Sequence, residues 1–146
     1  MTVIAWDGKT LAADKMDCSV GYGYTVTKVH RLHDGSLAAI SGDGDHAMAL
    51  LQWLDTPPDF PGRCFPEAQK DNETSALLIR PNGSVWSYGK TPHPQRIECR
   101  HYAMGHGRDF ALAVMHLGFG ARRAVEVACA LDVYCGNGID TLELNP

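Results

Sequence analysis

The second residue of the chain, Thr2, could act as both a nucleophile and a base. We expect Met1 to be removed because the residue that follows it is small. Thr2 would then carry a free α-amine, whose ordinary pKa of about 7.7–8 lets it take the proton of its own hydroxyl near neutral pH. With Met1 retained, this base does not exist. The alternative is that Thr2 is only the first residue of an edge strand.

The segment after Thr2 predicts a hairpin that ends in a carboxylate, Asp14. Asp7-Gly8 lies between the apolar runs 3–6 and 9–13, and a two-residue Asp-Gly turn is typical of hairpins. Alternating residues at 25–32 and 36–41 predict a second hairpin. We therefore expect the chain to open with a four-stranded meander.

Helices and further strands follow from changes in the spacing of the apolar residues. A spacing of three to four residues predicts an amphipathic helix that begins at Asp43 and is ended by Thr56-Pro57-Pro58. Residues 55–73 predict a surface loop. Strands are predicted at 75–79, 84–88, 96–102 and 139–144, and helices at 108–117 and 121–131.

The order of these elements favours an α+β fold in which two stacked antiparallel sheets are covered by helices on their outer faces. This is a four-layer αββα sandwich. The chain has 146 residues, of which 45% are hydrophobic, and we expect a single domain over residues 1–146.

Composition excludes several classes of partner. The formal charge is −4 without a lysine or arginine run, which argues against nucleic acid. The apolar stretches are too short to cross a membrane, so we expect a cytoplasmic protein and no membrane partner. The five cysteines contain no C-x-x-C pair and are expected to be reduced thiols. The histidines show no metal-ligand spacing, so no metal or cofactor is predicted.

Several motifs together resemble one family. They are Thr2, Asp14 after a Leu-Ala-Ala strand, Lys28, Ser41-Gly42 before a helix, Gly105-His106-Gly107, and the run from Asp132 to Gly136 that contains Cys135. In this order they resemble the proteasome β-type, HslV-like N-terminal-nucleophile hydrolases, over nearly the whole chain. The resemblance implies that Thr2 is the catalytic threonine, Asp14 the buried aspartate, Lys28 the catalytic lysine and Gly42 the oxyanion-hole glycine.

Elementary chemistry agrees with these implied roles. A lysine close to the Thr2 hydroxyl supplies positive potential that favours an alkoxide and lowers the pKa of a nearby amine. Asp14 would keep Lys28 charged, and the N–H of Gly42 could approach a scissile carbonyl closely because glycine has no side chain. The alternatives are a surface lysine, a turn aspartate and a turn glycine.

Strand alternation suggests the walls of a substrate pocket. Val26 lies on the same strand face as Lys28, and Ile40 on the same face as Gly42, so both should lie beside the nucleophile. The resemblance adds Cys18 to this substrate-binding region. For Val26 and Ile40, plain core packing is the alternative.

The chain departs from the family pattern at two positions. His106 stands where the family has a serine that hydrogen-bonds the terminal amine, and Cys135 replaces a second serine. His106 could assist proton transfer or could only cap the helix that follows. Asp132 could orient the site or could be an ordinary residue at a helix end.

The resemblance implies a threonine-type endopeptidase, a hydrolase that acts on peptides or unfolded proteins. It also implies a homo-oligomeric, self-compartmentalising ring and an ATP-dependent unfoldase as regulator. The apolar helix face of Leu50 and Trp53 could serve subunit contacts or pack on the chain's own sheet. The alternative functions are a non-catalytic assembly or binding subunit and an amidohydrolase that acts on a small amide.

Overall fold

The computed structural model describes residues 1–68, 71 and 73–146, so the predicted loop 55–73 lies partly outside the described residues. The strands are β1 (Val3–Trp6), β2 (Thr10–Asp14), β3 (Met16–Ser19), β4 (Tyr22–Thr25), β5 (Val29–Arg31), β6 (Leu37–Ser41), β7 (Ser75–Ile79), β8 (Val85–Tyr88), β9 (Gln95–Ile97), β10 (Tyr102–Gly105) and β11 (Ile139–Glu143). The helices are α1 (Gly44–Asp55), α2 (Arg108–His116) and α3 (Ala121–Leu131).

Two antiparallel sheets form the centre of the molecule. The first has the strand order β10-β1-β2-β11, and its β1–β2 hairpin aligns Ile4 with Ala13, as the Asp-Gly turn predicts. The second has the order β5-β6-β7-β8-β9. Strands β3 and β4 pair with each other outside both sheets.

The apolar residues divide into layers that follow this topology. Side chains of both sheets, including Ile4, Leu11, Leu37 and Leu77, form the cluster between them. Helices α2 and α3 pack on the outer face of the first sheet, and α1 packs on the outer face of the second. The predicted αββα sandwich is therefore confirmed.

The predicted meander is wrong. Strands β1 and β2 belong to the first sheet, whereas β5 and β6 belong to the second. The chain passes between the sheets at residues 26–28, after the β3–β4 hairpin that the sequence analysis missed. The predicted strand 96–102 is also divided, because β9 lies in the second sheet and β10 in the first. Alternation predicts an extended chain, but it does not specify which sheet the chain joins.

The helix face of Leu50 and Trp53 packs within the chain. Leu50 is fully buried in the cluster between α1 and the second sheet, and Trp53 packs against that cluster. The Trp53 ring also contacts Phe65 and Tyr88 edge to face, at centroid distances of 4.8 and 5.7 Å. The alternative that this face packs on the chain's own sheet is therefore confirmed for Leu50. None of the described helices has the length and apolar character needed to span a membrane.

Candidate active site

Thr2 is held in place by the strand that starts after it. Its carbonyl accepts a hydrogen bond from the backbone N–H of Gly107 at 3.2 Å, and the residue is 4% exposed. Gly105 pairs with Val3 across β10 and β1 and has a φ of +94°. A Cβ at position 105 would overlap the Thr2 carbonyl, so the close approach of β10 requires glycine.

Lys28 connects Thr2 to Asp14. Its Nζ lies 2.9 Å from Thr2 Oγ1 and 2.8 Å from Asp14 Oδ1, and it donates a 2.6 Å hydrogen bond to the carbonyl of Met16. The Lys28 and Asp14 side chains are 6% and 0% exposed. Because both side chains are removed from solvent, their close contact offsets part of the desolvation of each group.

Asp14 is fixed by backbone donors as well as by Lys28. Its Oδ1 accepts from Val3 N–H at 3.0 Å, and its Oδ2 accepts from Gly136 N–H at 3.1 Å and Met16 N–H at 3.3 Å. These donors belong to separate segments of the chain. The carboxylate therefore fixes the position of the lysine that faces Thr2.

Met1 occupies the space beside the candidate nucleophile. Its carbonyl accepts a hydrogen bond from Thr2 Oγ1 at 2.7 Å and another from Lys28 Nζ at 3.3 Å. While Met1 is attached, the nitrogen of Thr2 is an amide and cannot act as a base. Removal of Met1 would release both donors and create the amine.

Gly42 has a conformation that other residues rarely adopt. It follows β6 with a φ of +107°, and a Cβ there would overlap the backbone of Glu73 and Thr74. The preceding residue, Ser41, and Gly42 both border the same cavity as Thr2. Glycine is therefore required at position 42 for steric reasons, and its backbone is placed beside the candidate nucleophile.

A cavity of about 120 Å³ opens beside Thr2 and Lys28. Val26 and Ile40 line it, as predicted, although Val26 lies in the connection between β4 and β5 and not on a strand. Cys18 is not among its described lining residues, which instead include Asp17, the preceding residue of β3. The resemblance, which added Cys18 to the substrate-binding region, therefore does not agree with the cavity as the structure describes it. The remaining lining residues are Met1, Thr27, Ser41, Gly42, Gly44, Ala47 and Met48.

His106 and Asp132 form a pair next to the Thr2 backbone. His106 Nδ1 lies 2.5 Å from Asp132 Oδ2, and the His106 ring contacts Tyr134 edge to face at 4.8 Å. Burial alone would raise the pKa of Asp132, but hydrogen bonds from His106, from the Tyr134 N–H and from Cys135 outweigh it and lower the pKa. The structure thus brings together the two predicted residues, and Asp132 binds His106 in addition to ending α3.

Cys135 is buried among α3 and β1. A Cβ at Gly107 would come within 3.1 Å of its Sγ and 3.0 Å of the Val3 side chain. Burial, together with the charges of Asp14 and Asp132, raises the pKa of the Cys135 thiol to about 12. It is therefore a neutral thiol at physiological pH.

Sequence reasoning did not predict that Asp17 and Met48 line the cavity. The period-two pattern of β3 was the available indication for Asp17, but that strand was not predicted. Within residues 1–68, 71 and 73–146, no group of three or more His, Cys, Asp or Glu side chains is arranged to hold a metal ion.

Comparison with known proteins identifies the fold. No protein-family model matches the chain, and no curated protein matches its sequence. Among solved structures, Thiobacillus denitrificans BPH in complex with epoxomicin is 20% identical over 100% of both chains, with a TM-score of 0.73. Another structure of Thiobacillus denitrificans BPH is 22% identical over 99% of this chain and 98% of that one, with a TM-score of 0.70. Eukaryotic HslV from Trypanosoma brucei is 18% identical over 97% of both chains, with a TM-score of 0.72.

The chain has the N-terminal-nucleophile hydrolase fold. The resemblance to the proteasome β type that the sequence motifs indicated is thereby confirmed for the fold. Within this fold, Thr2 directly precedes β1 and borders the cavity. The chemical roles of Thr2, Asp14 and Lys28 rest on their own contacts and stay predictions.

Proposed function

We propose that this chain is a threonine endopeptidase that becomes active when Met1 is removed. The observation that carries the proposal is the contact of the buried Lys28 ammonium with Thr2 Oγ1 at 2.9 Å, next to a cavity that could hold a substrate side chain. A cation there lowers the cost of forming alkoxide character on Thr2. Similarity to the fold of HslV and BPH supports a hydrolase of this class.

The proposed reaction has two stages. In the first, the Thr2 α-amine takes the hydroxyl proton while Oγ1 bonds to the scissile carbonyl carbon, and the oxyanion is held by the Gly42 N–H. The C–N bond then breaks, and the leaving amine takes the proton from the Thr2 ammonium. In the second stage, water adds to the ester carbon while the Thr2 α-amine takes one of its protons. The bond between that carbon and Oγ1 then breaks, the acyl group leaves as an acid, and Oγ1 takes the proton back from the ammonium.

The same proposal includes peptide or unfolded-protein substrates, a homo-oligomeric ring and a cytoplasmic location. The HslV-like fold of the neighbours favours a ring. An ATP-dependent unfoldase as regulator is part of the proposal because a closed ring admits only extended chains. Light scattering that finds only monomers at micromolar concentration would contradict the ring.

The proposal is tested by intact mass and covalent labelling. Epoxomicin is present in the Thiobacillus denitrificans BPH complex, so it is a suitable first probe. We expect an active preparation to lack Met1 and to gain the mass of the probe on the peptide that begins with Thr2. Thr2→Ala should abolish both peptide cleavage and labelling while retaining the fold.

Other outcomes would favour the alternatives. An active preparation that retains Met1, or labelling at another residue, would contradict Thr2 as the nucleophile. A mature chain that forms oligomers but cleaves neither peptides nor small amides would favour the non-catalytic subunit. Cleavage of small amides alone would favour the amidohydrolase.

Thr10→Ala is a matched control for Thr2→Ala, because Thr10 lies at the far end of the β2 strand from Asp14.

A further inference from the structure

Asp17 is the one carboxylate residue among the described residues that line the cavity beside Thr2. It borders the cavity together with Val26, Ile40 and Ala47. Its Oδ1 accepts a hydrogen bond from the Cys18 N–H at 2.9 Å, and its Oδ2 accepts from the Tyr24 hydroxyl at 3.1 Å. The carboxylate is therefore held in a defined position by the β3–β4 hairpin.

The charge of Asp17 is not balanced by a cation in the described part of the chain. Its partners there, the Cys18 amide and the Tyr24 hydroxyl, are neutral donors. Lys28 also borders the cavity, but its ammonium is paired with Asp14 at 2.8 Å and bonded to the Met16 carbonyl. The cavity is therefore bordered by a cation, Lys28, that is paired with Asp14 and by an anion, Asp17, that has no cationic partner among the described residues.

We propose that this cavity selects substrates with a lysine or arginine side chain on the acyl side of the cleaved bond. The inference rests on the proposed peptidase function and assigns Asp17 as its specificity-determining residue. The aliphatic stem of such a side chain would pack on Val26, Ile40 and Ala47, while its charged end would pair with Asp17. Lysine and arginine both combine an apolar stem with a cationic end, whereas leucine lacks the charge and glutamate has the wrong sign.

The test compares peptides that differ only in the residue before a fluorogenic leaving group: lysine, arginine, leucine or glutamate. With the mature chain, we expect kcat/KM for lysine and arginine to exceed that for leucine by about tenfold, with glutamate lowest. The ratio of lysine to leucine should fall toward one in Asp17→Asn. It should also fall as salt is added, because salt screens the attraction between charges.

Two control variants separate the charge from other effects. Tyr24→Phe removes the hydrogen bond to Asp17 but keeps its charge, so the preference for lysine should persist. Asp109→Asn removes a carboxylate that is 88% exposed on α2 and should leave the ratio unchanged. Equal loss for all four peptides in Asp17→Asn, or a wild-type preference for leucine, would overturn the assignment.

A binding measurement keeps the inference testable if no peptide is cleaved. Calorimetry on the mature Thr2→Ala chain would compare two otherwise identical peptides that end in lysine or leucine. Binding about tenfold tighter for the lysine peptide, lost in the Asp17→Asn double variant, would support the cavity's selectivity even if the peptidase proposal failed. Equal affinity of the two peptides would overturn the inference whether or not cleavage occurs.

Discussion

Lys28 Nζ lies 2.9 Å from Thr2 Oγ1, although the two residues are 26 positions apart and belong to different parts of the fold. Thr2 precedes β1 of the first sheet, whereas Lys28 precedes β5 of the second and its carbonyl accepts a hydrogen bond from Ile40 N–H at 3.0 Å. The contact therefore exists only when the two sheets are stacked. The global fold, and not a local motif, therefore places the Lys28 side chain beside the Thr2 hydroxyl.

The first prediction is that Lys28→Met lowers peptidase activity by about two to three orders of magnitude. Methionine keeps most of the apolar stem but removes the cation beside Thr2 Oγ1, and one lost electrostatic contact commonly costs about 10²–10³ in rate. The measurement is kcat/KM of the mature chain on a cleavable peptide, with circular dichroism to verify the fold. Wild-type activity in Lys28→Met would contradict the proposed mechanism.

Two further lysine variants serve as controls for this prediction. Lys28→Arg keeps the charge but spreads it over a planar group, so we expect only partial activity. Lys15→Met removes a lysine that pairs with Asp140 at 2.7 Å and does not contact Thr2. It should retain activity.

The second prediction concerns the stability contributed by Asp14. Asp14→Asn should lower the free energy of unfolding by about 3 kcal/mol, because it leaves the buried Lys28 ammonium without its counter-charge. Urea unfolding measures the loss. Asp140→Asn is the matched control, since Asp140 pairs with a lysine at a partly exposed site. A similar loss of unfolding free energy in both variants would contradict the prediction that the buried Lys28–Asp14 pair contributes more stability than the partly exposed Lys15–Asp140 pair.

The third prediction is that Gly42→Ala is strongly destabilising. A φ of +107° is unfavourable for alanine, and its Cβ would overlap the backbone of Glu73. We expect a loss of at least about 2 kcal/mol in unfolding free energy, together with loss of activity. Gly89→Ala is the comparison, because a Cβ there meets nothing within 4 Å. Equal stability of the two variants would contradict the steric argument.

Local sequence patterns predicted the elements better than their arrangement. The Asp7-Gly8 turn correctly predicted the β1–β2 hairpin, and the Pro57-Pro58 pair correctly predicted the end of α1. Alternation at residues 25–32 predicted extended chain, but β4 ends at Thr25 and β5 begins at Val29 in another sheet. Sheet membership depends on contacts between distant segments, which a local period does not encode.

The candidate site was also predicted only in part. Thr2, Asp14 and Lys28 were predicted by resemblance, and the structure places Lys28 in contact with both of the others. Asp17 was missed because β3 has only a short alternating run, so the face that it presents to the cavity was not predictable from the sequence. A hydrophobic pattern marks core strands clearly, but it carries little information about a two-stranded ribbon outside the sheets.

The fourth prediction concerns the pKa of Asp132. The hydrogen bond from His106 helps to hold this pKa below its ordinary value of 3.8, so His106→Ala should raise it because burial is then less opposed. A lowered pKa in the folded state stabilises the fold above pH 4, and this stabilisation is lost as the pH falls through the folded value. Acid unfolding of His106→Ala should therefore begin at a higher pH. Carboxyl NMR titration measures the shift, and Glu126, which pairs with Arg123, is an internal reference that should not move.

The fifth prediction is that Cys135 reacts more slowly with iodoacetamide than the exposed thiols Cys64 and Cys99. Only the thiolate reacts, and a pKa of about 12 leaves about one part in ten thousand ionised at pH 8. Cys64 and Cys99 are exposed and should be alkylated first. Peptide mass spectrometry over time gives the order of labelling, and peptidase activity should persist while only Cys64 and Cys99 are modified. If activity is lost at the same rate as Cys135 is labelled, and before Cys64 and Cys99 are, Cys135 would be the candidate nucleophile. The threonine mechanism would then be wrong.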